Sequence, residues 1–113
     1  MKTIIAGSRS ILSMDHVIRA IEIAKFPITE VVCGMAQGPD ILGMIWAAKH
    51  NIPVKKFPAN WDKLGKSAGY KRNQQMAEYA DACIVVWDGI SKGSMHMIDL
   101  AKKHKIKLCV YTP

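Results

Sequence analysis

Small and basic residues of the kind that bind phosphate recur in four segments of this 113-residue chain. Two of these segments contain an arginine, whose planar guanidinium can hold two oxygen atoms of a phosphate or carboxylate. Glycine lets the backbone approach a ligand closely, and the free N–H groups at a helix N-terminus attract anions. These residue types therefore predict a site for an anionic group. The four segments are Gly7-Ser8-Arg9, residues 34–40, residues 60–73 and residues 88–94.

Each of the four segments follows a predicted β-strand. Short apolar runs at residues 3–6, 30–33, 53–57, 82–87 and 107–111 predict five strands, and longer amphipathic stretches between them predict helices. The stretch from Pro58 to about Ser67 is predicted to be irregular. Strands that alternate with helices are typical of a mainly parallel α/β sheet with helices packed on its faces.

The predicted sheet brings the four segments to one edge. Ligands of parallel α/β sheets bind beyond the carboxyl ends of the strands. Connections at the opposite edge, such as Lys25-Phe26-Pro27 and residues 50–53, contain no glycine. Because no repeat or linker interrupts the pattern, we expect one domain over residues 1–113 with one binding edge.

Two familiar nucleotide motifs do not fit this chain. Gly65-Lys66-Ser67 resembles the end of a Walker phosphate loop, but that loop would need glycine at Asn60, directly after a strand. No Gly-x-Gly-x-x-Gly follows the first predicted strand. The sequence therefore argues against a P-loop NTPase or an NAD-dependent dehydrogenase, and we expect no cofactor.

Composition narrows the remaining classes of protein. The three cysteines lack the spacing of a zinc site, so we expect neither a disulfide nor a metal. The net charge of +7 fits an anionic partner or a coat of solvated lysines. The N-terminal apolar stretch, residues 4–6, is too short for a signal peptide, and no run approaches the roughly 18 residues of a membrane helix. We expect a cytoplasmic protein with no membrane partner.

Seven short motifs follow one another along the chain: Gly7-Ser8-Arg9, Gly34-x-Ala36-x-Gly38-x-Asp40, Pro58-Ala59-x-Trp61, Gly65-Lys66-x-Ala68-Gly69, Arg72-Asn73-x-x-Met76, Ala80-Asp81 and Trp87-Asp88-Gly89-x-Ser91-x-Gly93-Ser94. Their order resembles the YspA-like, cpYpsA-related group of the SLOG superfamily. The resemblance implies a Rossmann-like three-layer α/β/α domain with about five strands, a nucleotide-type ligand and a homo-oligomer. SLOG relatives include the LOG phosphoribohydrolases, which release a base from a nucleoside monophosphate, and the DNA-processing protein DprA.

The resemblance to LOG proteins implies particular roles for two stretches. Arg72 matches the catalytic arginine in their Arg-Lys-x-x-Met helix. Their phosphate loop, Pro-Gly-Gly-x-Gly-Thr-x-Glu, corresponds to the stretch that begins at Asp88-Gly89, and Gly93-Ser94 are kept in it. The catalytic glutamate position of that loop falls on His96.

The absence of a glutamate at this position affects whether the chain can cleave an N-glycosidic bond. Cleavage of an N-glycosidic bond develops oxocarbenium-like charge, which a carboxylate stabilises and a histidine does not. Asp40 and Asp88 are the carboxylates that could take over this role. His96 could instead contact the ligand or lie on the helix surface, and Trp61 could stack on a base or pack its loop onto the sheet.

We therefore expect the chain to bind, and so sense or sequester, a nucleotide or nucleotide-derived anion. The alternative is a nucleoside 5′-monophosphate N-glycosidase that uses Arg72 with Asp40 or Asp88. A single-stranded nucleic-acid module is a third reading, but Trp61 is the only aromatic candidate in these loops, and strand binding normally uses several. The expected ligand-binding residues are Gly7, Ser8, Arg9, Gly34, Ala36, Gly38, Asp40, Trp61, Lys66, Arg72, Asn73, Asp88, Gly89, Ser91, Gly93, Ser94 and His96.

Overall fold

Strands and helices alternate along the chain in the computed structural model, which describes the backbone of residues 1–113 and every side chain except that of Lys66. A single 3₁₀ turn, Gly65–Ser67, joins the third helix to the fourth. The elements are β1 (Lys2–Gly7), α1 (Met14–Ala24), β2 (Glu30–Cys33), α2 (Pro39–Lys49), β3 (Val54–Lys56), α3 (Trp61–Leu64), α4 (Ala68–Tyr79), β4 (Ala82–Val86), α5 (Lys92–Lys103) and β5 (Lys107–Tyr111).

The five strands form one parallel sheet in the order β3-β2-β1-β4-β5. The chain adds strands outward from β1 to β3, then returns to place β4 on the other side of β1. The connections that leave β1 and β4 therefore run to opposite faces of the sheet and open a crevice between them. This is the topological switch point at which ligands of such sheets bind.

Two hydrophobic clusters join the helices to the two faces of the sheet. On one face, Val17 of α1 and Ala47 of α2 pack with Ile5. On the other face, Met76 of α4 and Met97 of α5 pack with Ile4 and neighbouring strand residues. Every residue of β4 is buried, as expected for a strand covered on both faces. The predicted three-layer, Rossmann-like α/β/α fold is thereby confirmed.

Close packing at the end of β1 brings α2 to the crevice. A Cβ atom on Gly7 would lie 2.1 Å from the carbonyl oxygen of Val86 and 2.6 Å from Cγ of Pro39. Only glycine fits there, because any side chain would push the first turn of α2 away from the β1–β4 pair. The start of α2 is thus fixed beside the switch point.

Two elements differ from the sequence-based prediction. The stretch from Pro58 to Ser67 was expected to be irregular, but it contains α3 and the 3₁₀ turn. The side chain of Asn60 caps α3 by accepting a hydrogen bond of 3.2 Å from the backbone N–H of Lys63, a local interaction that propensity alone does not reveal. Strand β3 is also shorter than predicted. None of the helices described here is long and apolar enough to cross a membrane.

Candidate functional site

A narrow cleft of about 70 Å³ lies at the switch point, beyond the carboxyl ends of β1 and β4. Its dimensions suit one small anionic group rather than a whole nucleotide. The lining residues come from the end of β1, from the loops after β2 and β4, and from helices α2, α4 and α5. They are Ala6, Gly7, Ala36, Asp40, Arg72, Asn73, Ser91, Gly93, Ser94 and Met97.

Two wider spaces, which we call the first and the second lobe, adjoin the cleft. Arg72 lines the cleft and both lobes. The first lobe, of about 300 Å³, runs along the loop after β2 to Trp61. The second, of about 200 Å³, lies between Trp61 and Tyr70. Arg9 borders both lobes. Together the volumes of the three spaces fall within the range of ordinary small-ligand pockets, about 300 to 1,000 Å³.

Arg72 is held in place from two sides. One terminal nitrogen, Nη1, donates a short hydrogen bond to the carbonyl oxygen of Gly34, and Nε donates to Oδ1 of Asn73 at 2.9 Å. Burial lowers the pKa of Arg72, and the Asp40 carboxylate acts in the opposite direction. The guanidinium is therefore oriented at the junction of the cleft and the lobes before any ligand arrives.

Asp40 lies buried in the first turn of α2, next to this guanidinium. Burial raises the pKa of Asp40 to about 6, whereas Arg72 and backbone N–H groups of Ala36, Gly7 and Gly34 lower it. A Cβ atom on Gly34 would lie 2.7 Å from Oδ2 of Asp40 and 2.9 Å from Nη1 of Arg72. The missing side chain at Gly34 thus lets the loop after β2 come close to both charged groups.

The start of α5 forms the other wall of the cleft. Ser91 is the N-cap, and its hydroxyl accepts from the backbone N–H of Ser94 at 3.5 Å. Gly93 faces open space, since no heavy atom lies within 4 Å of the position a Cβ would take. Free N–H groups at the beginning of a twelve-residue helix, next to an open glycine and an arginine, are suited to an anion.

Ser8 and Asp88 do not line the cleft. Ser8 is buried, and its hydroxyl accepts from the backbone N–H of Asp88 at 3.0 Å. Hydrogen bonds from the backbone N–H groups of Ser91 and Ile90 lower the pKa of Asp88, and its Oδ2 accepts from Ser10. Asp88 lines a separate surface hollow rather than the cleft. Both side chains support the loop after β4, so Asp40 is the carboxylate that the structure brings to Arg72.

The remaining predicted residues lie in different parts of the structure. Gly34, Ala36, Arg9 and Trp61 line the first lobe. Gly38 lines an apolar groove beside α2, and Gly89 and His96 lie outside the linings of the cleft and lobes. The predicted contact of Lys66 falls on a side chain outside the described part of the structure. Among the described residues, no group of three His, Cys, Asp or Glu side chains is placed to hold a metal.

Tyr70 is a site residue that the sequence reasoning missed. Its side chain is 49% exposed and borders the second lobe opposite Trp61, which is 51% exposed. The ring of Trp61 rests against Gly69, where a Cβ would lie 3.3 Å from its Cη2. The sequence could have indicated Tyr70, because it lies in the first turn of α4 and that helix starts at the binding edge.

Comparison with known proteins identifies the family. The model of the family described as "YAcAr: YspA, cpYpsA-related SLOG family" matches residues 1–64, which is more than half of the chain. The match spans β1 to α3 and so includes Arg9, Asp40 and Trp61, whereas Arg72 and Gly93 lie beyond it. No curated protein and no solved structure matches the chain. The chain belongs to the YspA, cpYpsA-related SLOG family.

Proposed function

We propose that this protein binds a nucleotide or a nucleotide-derived anion at the carboxyl edge of its sheet. The observation that carries the proposal is the position of Arg72, a pre-oriented guanidinium at the junction of a small polar cleft and two wider lobes. Membership of the SLOG family supports the same class of ligand.

The phosphate is assigned to the cleft. Residues at the start of α5, among them Gly93 with its open backbone, line this space together with Arg72, which supplies a full positive charge. Arginine and a helix N-terminus together match a phosphate in both charge and hydrogen-bond geometry. Arg9, at the border of both lobes, is free to approach a second anionic group of a longer ligand.

The base is assigned to the second lobe, between Trp61 and Tyr70. Each of these two residues is about half exposed, and every nucleobase has a flat face that stacks on an aromatic ring. A neighbouring arginine strengthens such stacking. The assignment puts phosphate and base on opposite sides of Arg72.

A panel of ligands tests this proposal by thermal shift. Nucleoside monophosphates should raise the melting temperature, whereas the matching nucleosides and free bases, which lack the phosphate, should not. Inorganic phosphate should compete with a bound nucleotide. If no phosphorylated nucleoside stabilises the protein at any concentration, the proposal is wrong.

A second candidate is hydrolysis of the N-glycosidic bond, and Asp40 favours it. Asp40 is the carboxylate in the cleft, and its raised pKa of about 6 lets it be protonated or ionised near neutral pH. An ionised Asp40 could stabilise an oxocarbenium-like sugar. Chromatographic detection of free base after incubation with each monophosphate distinguishes the two functions, and Asp40→Asn should abolish any release.

A further inference from the structure

Hydrogen-bond donors dominate the side chains that border the second lobe. Arg9 and Arg72 contribute guanidinium groups, which can only donate, and the indole of Trp61 carries a single N–H donor. Among the described residues, no aspartate or glutamate lines this lobe. An amino group of a ligand would therefore find few partners here, whereas a carbonyl oxygen or a ring nitrogen would find several.

Asn73 also lines the second lobe, but both ends of its amide are already engaged. Its Oδ1 accepts from Nε of Arg72 at 2.9 Å, and its Nδ2 lies 3.3 Å from Nδ1 of His96. A base would have to break the first of these hydrogen bonds before it could use the amide oxygen. In the described lining of the lobe, the hydroxyl of Tyr70 is then the one side-chain acceptor that remains.

Arg9 is the donor that is available to a base. Its turn is fixed, because the backbone N–H of Ile11 donates to the carbonyl oxygen of Ser8 at 3.0 Å. The side chain of Arg9 is exposed at the border of both lobes and takes part in none of the ion pairs found among the described residues. Arg72, by contrast, already makes two hydrogen bonds to the protein and is assigned to the phosphate. A monophosphate has no second anionic group, so Arg9 is left for its base.

The two guanidinium groups also act on a base through their charge. Burial is the main cause that lowers the pKa of Arg72, and the positive charge of Arg9 lowers it further, so the two groups lie within electrostatic reach of each other. Asp40, whose carboxylate opposes this effect, lines the cleft and not the second lobe. An electropositive lobe favours the edge of a base that carries acceptors and disfavours amino groups.

The common bases differ in what they offer to such a lobe. One edge of a 6-oxopurine, the class that includes guanine and hypoxanthine, carries two neighbouring acceptors, N7 and O6. Adenine has an amino donor in place of O6, cytosine also presents an amino donor, and uracil offers a single acceptor on the corresponding edge. The two parallel N–H groups of a guanidinium match the N7 and O6 pair.

We propose that the base is a 6-oxopurine, and that Arg9 selects it by donating to N7 and O6 while Trp61 and Tyr70 stack on the ring. This inference rests on the proposed function, because it requires a nucleotide whose base occupies the second lobe. It makes Arg9 a specificity-determining residue and Arg72 the anchor of the phosphate. The amino group that distinguishes guanine from hypoxanthine has no assigned partner, so both bases should bind alike.

Calorimetric titration with nucleoside monophosphates tests this selection. The guanosine and inosine compounds should bind equally well. Both should bind more tightly than the adenosine, cytidine and uridine compounds by roughly fivefold to more than a hundredfold, the range for one bidentate contact between arginine and guanine. A 7-deaza analogue of guanosine monophosphate, which has a C–H group in place of the acceptor N7, should lose most of this advantage.

Substitutions of Arg9 test whether this residue recognises the base. Arg9→Ala should no longer distinguish guanosine from adenosine monophosphate. Arg9→Gln should favour the adenosine compound, because glutamine accepts from the amino group of adenine and donates to its N7. The matched control is Arg19→Gln, at an exposed arginine of α1, and it should keep the preference of the wild type. Both positions are exposed, so these substitutions should leave the fold intact.

The possible results separate this inference from the proposed function. Equal affinity for guanosine and adenosine monophosphate, or tighter binding of the latter, would overturn the inference while the proposed function stands. A preference for guanosine monophosphate that survives both Arg9→Ala and Arg9→Gln would also overturn it, because another group would then recognise the base. Absence of binding by every monophosphate would contradict both proposals.

Discussion

Nε of Arg72 donates a hydrogen bond of 2.9 Å to the side-chain oxygen of Asn73. The bond orients the amide so that its Nδ2 lies 3.3 Å from Nδ1 of His96. Because an amide NH₂ group can only donate, Nδ1 of His96 must accept, and the neutral ring carries its proton on Nε2. His96 is thus linked through Asn73 to the orientation of Arg72.

We predict that acid weakens nucleotide binding through His96. Protonation of Nδ1 of His96 would place an N–H donor opposite the NH₂ group of Asn73. The Asn73 amide must then turn, and its oxygen would no longer accept the hydrogen bond from Arg72. Burial lowers the pKa of His96 below its ordinary value of 6.5, and Asp99 opposes that change. Tyr70 of α4 contacts the His96 ring edge-on. The affinity should therefore fall below pH 6.5, as calorimetric titration at several pH values would measure.

His96→Gln is the matched control for this pH dependence. Glutamine can accept from Asn73 through its oxygen at every pH. The acid-induced loss of affinity should shrink in this variant, and any remaining loss belongs to Asp40 or to the phosphate itself. An unchanged pH profile in His96→Gln would refute the link between His96 and Arg72.

The buried carboxyl of Asp40 should make the folded protein less stable as the pH rises. Its pKa is about 6 in the folded state and 3.8 ordinarily, so the folded protein holds an extra proton between these values. The resulting stabilisation is fully present below 3.8 and is lost as the pH rises through about 6. At 1.36 kcal/mol per pKa unit, it amounts to about 3 kcal/mol.

Urea unfolding of the wild type and of Asp40→Asn at a series of pH values measures this effect. As the pH increases, the free energy of unfolding of the wild type should fall relative to that of Asp40→Asn. Comparison with the variant is needed because His96, whose pKa is lowered, changes stability in the opposite direction. Parallel curves for the two proteins would show that Asp40 titrates as an exposed carboxyl.

Gly93→Ala should impair binding without harming the fold. No heavy atom lies within 4 Å of the new methyl group, and alanine in place of helical glycine stabilises a protein by about 0.5 to 1 kcal/mol. The methyl group would, however, occupy the space assigned to the phosphate. Gly43→Ala is the contrasting variant. Its new Cβ atom would lie 2.7 Å from the side chain of Ile5, so this substitution should destabilise the fold. Unchanged nucleotide affinity in Gly93→Ala would move the phosphate elsewhere.

Trp61 and Tyr70 should contribute to the affinity through stacking. Removal of a stacked aromatic ring costs about 1 to 3 kcal/mol for each base, so Trp61→Ala and Tyr70→Ala should each weaken binding by roughly fivefold to a hundredfold. Tyr70→Phe keeps the ring and should bind like the wild type. Equal weakening in Tyr70→Phe would indicate a hydrogen bond from the hydroxyl group instead of stacking.

The layers of the fold and the edge that holds the site were predictable because they follow from strand order and hydrophobic periodicity. Arg72 and Gly93 meet there because α4 and α5, the helices that contain them, both begin at that edge of the sheet. The orientation of Asp88 was not predictable, since it depends on a local turn in which its side chain binds the backbone N–H groups of Ile90 and Ser91. The contact of His96 with Asn73 depends on how α4 packs on α5, which periodicity does not specify.

The most direct test of the central claim is calorimetric titration of Arg72→Ala with the nucleotide that stabilises the wild type most. Loss of a charge-assisted hydrogen bond costs about 1.5 to 3 kcal/mol, so the affinity should drop by roughly tenfold to more than a hundredfold. Arg19→Ala, which removes an exposed arginine of α1, should bind normally. Arg9→Ala should weaken binding even if Arg72→Ala proves unstable. Wild-type affinity in both folded Arg72→Ala and Arg9→Ala would contradict the proposed site.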